Sequence, residues 1–106
     1  MKKFIVISTT VEQQVDAKKL ANLLFHENVI GCAQVSGPLQ SYYRWEGRME
    51  NSTEYMLSVK TLAYHRQRIV QLLEKNHPYD VPEITSKVLD FVSEDYGRWL
   101  EGEVTG

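Results

Sequence analysis

The chain has 106 residues, 42% of them hydrophobic and 25% charged, which suits one compact domain spanning residues 1–106 that needs neither disulfides nor metal to fold. A net charge of −2 gives no clustered basic surface for nucleic acid or for anionic lipid. The lone Cys32 cannot form an intrachain bridge, and no apolar run approaches the roughly 20 residues of a membrane span, so a cytoplasmic protein without a membrane partner is expected.

Met1-Lys2-Lys3 and the apolar run Phe4 to Ile7 are too short for a leader sequence; Phe4 to Ile7 reads instead as a buried strand running into a Ser8-Thr9-Thr10 turn. Thr10 and Gln13 have capping-box spacing. Val15, Leu20, Leu23 and Leu24 then predict a helix from about Glu12 to Glu27. Val29 to Val35 reads as a strand with small residues at Gly31, Cys32 and Ala33, and Gly37-Pro38 as a turn. Leu39 to Glu46 and Glu54 to Lys60 both alternate, predicting a long β-hairpin turning near Gly47, with Tyr55, Leu57 and Val59 inward and Glu54, Met56, Ser58 and Lys60 outward. Arg66 to Asn76 is a second helix with Ile69, Val70, Leu72 and Leu73 on its apolar side. The segment His77-Pro78-Tyr79-Asp80-Val81-Pro82-Glu83 stops it, because each proline pushes the residue before it toward extended conformations. Ile84 to Val92 returns as a strand. Ser93 caps a final helix in which Tyr96, Trp99 and Leu100 share one face.

The order β-α-β-β-α-β with a terminal helix predicts an α+β, ferredoxin-like sandwich, two helices on one side of an antiparallel sheet. Tyr42, Tyr43, Trp45, Tyr55 and Met56 load the hairpin with more apolar area than a monomer's open sheet face carries, so an oligomer joined through its hairpins is expected.

His26, His65, His77 and Cys32 are the soft or borderline metal ligands, and none has the close spacing of a zinc or copper site. His77, with Asp80 and Glu83 in reach, is the one candidate metal ligand. Cys32 reads as a small core residue rather than a nucleophile, no serine elbow is present, and the glycines are too scattered for a phosphate loop. Lys60, at the end of its strand, and Glu83, just before the last one, are expected to face each other as an ion pair or the polar floor of a pocket.

Tyr43-Arg44-Trp45-Glu46-Gly47, Lys60-Thr61 and His77-Pro78-Tyr79-x-Val81-Pro82-Glu83, in this order and separation, resemble the CutA family of divalent-cation tolerance proteins. The resemblance runs from Thr9-Thr10 to Trp99-Leu100. It implies a stable homotrimer built like the PII signalling proteins and a link to copper and other divalent cations. A non-enzymatic role is expected. It further implies lateral clefts between subunits, lined by Trp45, Lys60, His77, Tyr79, Glu83 and Trp99. Thr9 and Asn76 stand where some bacterial members carry a cysteine and a second histidine proposed as copper ligands, so His77 alone remains of that trio. The expected ligand is thus a weakly bound copper or other divalent cation, or an unknown small ligand. The alternative is a PII-like signalling or structural scaffold with no metal role.

Overall fold

The computed structural model describes residues 3–104 in the order β1 (Phe4–Val11), α1 (Gln14–His26), β2 (Cys32–Trp45), β3 (Arg48–Leu62), α2 (Arg66–Asn76), β4 (Ile84–Val88) and α3 (Glu94–Val104). Met1 and Lys2 lie outside the described residues. The sheet is antiparallel in the order β2-β3-β1-β4, so the α+β ferredoxin-like arrangement is the fold, with α3 added at the end. No described helix is long and apolar enough to cross a membrane.

β1 runs to Val11, and Ser8-Thr9-Thr10 is strand rather than turn. Threonine is β-branched and suits a pleated surface, and each of these residues has a partner on β3: Ser8 faces Ser58, Thr9 faces Leu57 and Thr10 faces Met56. Thr10 therefore caps nothing. α1 starts after Gln13, which is extended and makes no side-chain cap. Its buried stripe is Ala17, Leu20, Ala21 and Leu24, while Val15 is 55% exposed. Asn28, at φ 59°, ends the helix in the left-handed region that asparagine tolerates.

β2 is one strand of 14 residues with a register shift between Ser36 and Leu39, so Gly37-Pro38 is a bulge and not a turn. Proline cannot donate to a ladder, but β2 pairs with β3 alone, and an edge strand accommodates proline at a bulge. Glu46 and Gly47, at φ 50° and 78°, form the two-residue turn that the right-handed strand twist favours, linking Trp45 to Arg48. β4 stops at Val88, four residues short of the predicted end.

Ile5, Ile7, Leu57 and Val59 meet Leu20, Leu24, Ile69 and Leu73 in the core beneath α1 and α2, and Tyr55 packs against its edge. In α3 the buried stripe is Gly97, Leu100 and Val104; Tyr96 and Trp99 flank it at 36% and 46% exposure. The helix sits close on Gly31, where an added Cβ would lie 2.5 Å from the Leu100 Cδ1. β3 begins seven residues before its ladder with β1 starts, so the hairpin projects past the rest of the sheet. The dimensions of 45 × 26 × 22 Å reflect this, as does a radius of gyration of 14.5 Å; a compact chain of this length has about 13 Å.

Candidate functional site

α2 ends at Asn76, whose amide donates to the Leu72 carbonyl, and His77 turns extended at φ −73°, ψ 141° ahead of Pro78. The imidazole then ties three elements together. Its Nδ1 accepts the Tyr79 backbone N–H at 3.1 Å, so the neutral ring keeps its proton on Nε2, which donates to Thr9 Oγ1 at 2.9 Å. The rings of His77 and Tyr79 lie 5.0 Å apart, and the Tyr79 hydroxyl donates to Glu54 Oε2 at 2.7 Å. Burial, followed by the neighbouring Glu54, pushes the Tyr79 hydroxyl well above its usual range, so it remains a donor.

Glu54 alternates outward from the core as predicted, yet it is only 7% exposed. Beyond the end of β1 the proline segment lies over the projecting hairpin and covers that carboxylate. Between them is a cavity of about 630 Å³. Five carboxylates line it, Glu12, Glu50, Glu54, Asp80 and Glu83, and no lysine or arginine does. Tyr42, Tyr43, Trp45 and Tyr79 supply aromatic wall. A second hollow of about 510 Å³, between α1 and β2, is mostly apolar and has no acid.

Trp45, Tyr79 and Glu83 thus line one hollow within a single chain, with His77 bracing Tyr79 from behind. Lys60 and Trp99 do not join them within one chain. Lys60 pairs with Val6, whereas Glu83 immediately precedes Ile84, the partner of Thr9. That offset of about four residues along β1 is roughly 13 Å, and Lys60 Nζ instead donates to Gln34 Oε1 at 2.8 Å. Trp99 lies 5.5 Å from Tyr96, which neighbours Cys32, the residue facing Lys60 across the β2–β3 ladder. The six predicted residues therefore form two groups toward opposite ends of the sheet.

The described residues do not fit a resident metal ion. Both ring nitrogens of His77 are engaged, and among the described residues no three His, Cys, Asp or Glu side chains converge on a common point. The cavity acids are spread around its rim rather than gathered. Of these, Glu12, Glu50 and Glu54 were outside the sequence prediction of the site, since only the long-range approach of Tyr79 to β3 makes them neighbours.

His77 also gives the fold a pH dependence. Burial lowers its pKa, outweighing the opposing pull of the Thr10 backbone, Asp16 and Glu54. The unfolded ring takes up a proton near pH 6.5, the folded ring only below that. Its contribution to stability is therefore complete above about pH 6.5 and is lost as pH falls through the folded value. Urea unfolding at pH 7.5 and 5.5 is expected to show a lower midpoint at the acid pH, with the drop reduced in His77→Gln. An equal drop in both proteins would remove His77 as its origin.

A family model described as CutA1 divalent ion tolerance protein matches residues 5–103. The chain is 32% identical over 97 residues to chloroplastic protein CutA of Arabidopsis thaliana, covering 92% of this chain and 53% of that protein, so it spans about half that relative's length. It is 30% identical over 100 residues to the divalent-cation tolerance protein CutA of Pectobacterium atrosepticum, covering 94% and 91%. Among solved structures it is similar to CutA1 from Ehrlichia chaffeensis, with a TM-score of 0.93 at 27% identity over 99% and 98% of the two chains. CutA from Synechococcus elongatus gives a TM-score of 0.93 at 30% identity over 99% and 93%.

Proposed function

Because the chain belongs to the CutA1 divalent ion tolerance family, we propose that it serves divalent-cation tolerance as a non-enzymatic homotrimer that holds a small ligand in clefts between subunits. The observation that carries this reading is the division of the site residues. Trp45, Tyr79 and Glu83 line one exposed cavity, while Lys60 and Trp99 lie toward the other end of the sheet. A cleft built from both groups needs two chains, and a closed ring repeats that contact without leaving a free end.

Copper or another divalent cation enters this scheme as a weak ligand only. To bind one through Nδ1, His77 must give up the Tyr79 N–H. The engaged imidazole equally favours a PII-like signalling role in which the cleft senses a small molecule and metal tolerance follows indirectly. Copper titration of the wild type and His77→Ala separates the two. Weak binding that largely disappears in the variant supports direct metal contact, whereas superimposable curves remove the metal half of the proposal.

A further inference from the structure

We propose that the hairpin and the proline segment are the two jaws of a clamp around the carboxylate cavity, latched by the hydrogen bond from Tyr79 to Glu54 and opening when that bond breaks. The inference goes beyond the reading that a cleft holds a small ligand, and it does not depend on it. Each jaw is built to move. His77, at one end of the proline segment, donates to Thr9, and Ile84, just past the other end, pairs with the same Thr9 on β1. Residues 78–83 therefore leave and rejoin the sheet at one point, as a flap does. None of them is buried, so an outward swing uncovers no core residue of the flap itself. The hairpin jaw has its hinge at its base. Tyr55, opposite Val11, is where the β1 ladder ends, so from Glu54 outward β3 has only β2 beside it. Across from that point the β2 register shifts between Ser36 and Leu39, and a bulge at the foot of a two-stranded ribbon is where it bends. Among the described residues one hydrogen bond joins the jaws, from the Tyr79 hydroxyl to Glu54 Oε2 at 2.7 Å.

Two opposing effects meet in that latch. Closure gains a hydrogen bond to a charged acceptor. It also takes a carboxylate out of water, on a residue only 7% exposed, with a neutral hydroxyl as its partner. Opening reverses both, because water entering the cavity solvates the carboxylate and the hydroxyl alike. The two halves of the latch therefore respond in opposite directions to substitution. Removing the donor leaves a buried charge without its partner and opens the clamp. Neutralising the charge while keeping an acceptor oxygen removes the desolvation cost and tightens it. Opening turns Glu54 out to solvent and releases the foot of the hairpin that carries Trp45.

The test is the labelling rate of a thiol placed on the cavity wall by Thr10→Cys, using an excess of a chromogenic disulfide reagent in the full-length protein, with each site followed by peptide mass. Thr10 lines the cavity and is 5% exposed, so the reagent reaches that position in the open form. Cys32, which faces Lys60 toward the other end of the sheet, is the internal control. Adding Tyr79→Phe is expected to speed labelling at position 10 at least about tenfold and to leave Cys32 unchanged. Adding Glu54→Gln is expected to slow it by about threefold or more. No change with Tyr79→Phe, equal acceleration at Cys32, or acceleration by both substitutions overturns the proposal. Should Thr10→Cys not fold, Ser52→Cys places the thiol on the hairpin wall of the same cavity and the same comparison applies. Light scattering accompanies each sample. Faster labelling with loss of assembled mass would put the effect at an interface between chains, and overturns the clamp as well.

Discussion

Gly37→Ala is expected to lower the melting temperature by about 10–20 °C, corresponding to about 2–3 kcal/mol in a domain of this size. Gly37 sits at φ +134°, a region open in practice only to glycine, and holding another residue there costs about 1–3 kcal/mol. Steric crowding adds to this. A Cβ at Gly37 would lie 2.9 Å from the Tyr55 ring and 3.0 Å from the Glu54 carbonyl oxygen. The ring has room to shift; the carbonyl belongs to the β3 backbone. Relief must therefore come from moving β2 away at the bulge, which also disturbs the residue that carries the cavity's buried carboxylate. Calorimetry measures the loss of stability, and Tyr79→Phe provides a comparison in which the donor to Glu54 is removed without touching the bulge. A Gly37→Ala protein melting within about 3 °C of the wild type would mean that the bulge relaxes freely.

The bulge also shows where sequence reading stops. Gly37-Pro38 has the composition of a turn, and only the continuous partner strand β3 makes it an interruption in a longer strand. Ser8-Thr9-Thr10 failed for the same reason, since short hydroxyl residues look like a turn until β3 and β4 are seen on either side of β1. Elements whose pattern is local were legible: the α2 stripe of Ile69, Leu72 and Leu73, the inward Leu57 and Val59, and the break at His77. The site was legible in part. The motif residues Trp45, Tyr79 and Glu83 do meet, but Glu54 read as a solvent-facing residue of an alternating strand because nothing near it announces Tyr79, 25 positions later. Lys60 and Glu83 were paired from their places at strand ends, and the register of β1 sets them apart.

Those two distances, one shorter than expected and one longer, have a common consequence. Tyr79 closes its cavity within the chain, so the carboxylate pocket is built by one chain alone. Lys60 and Trp99 do not line that cavity, so a cleft that joins them to it needs a second chain.

Light scattering of the wild type is expected to give about three times the 12.3 kDa mass of one chain, and Trp45→Ala to shift the assembly to single chains at concentrations where the wild type remains trimeric. Trp45 is 49% exposed near the end of the hairpin, beside Tyr42, Tyr43 and Met49 at 71%, 43% and 62%. An aromatic side chain presents 150–250 Å² in all, so covering the exposed half of Trp45 removes about 100 Å² from water, worth about 3 kcal/mol per site at 25–30 cal/mol per Å². A three-fold ring repeats the loss at every interface, and each 1.4 kcal/mol is tenfold in the equilibrium constant, so the trimer constant should fall by about six orders of magnitude. Unfolding of the separated chain should change far less, because the hairpin tip lies past the end of β1 and outside the core. A wild type that sizes as a monomer would remove the account of the exposed hairpin aromatics. A Trp45→Ala trimer persisting at the same dilution would place the assembly surface elsewhere on the chain.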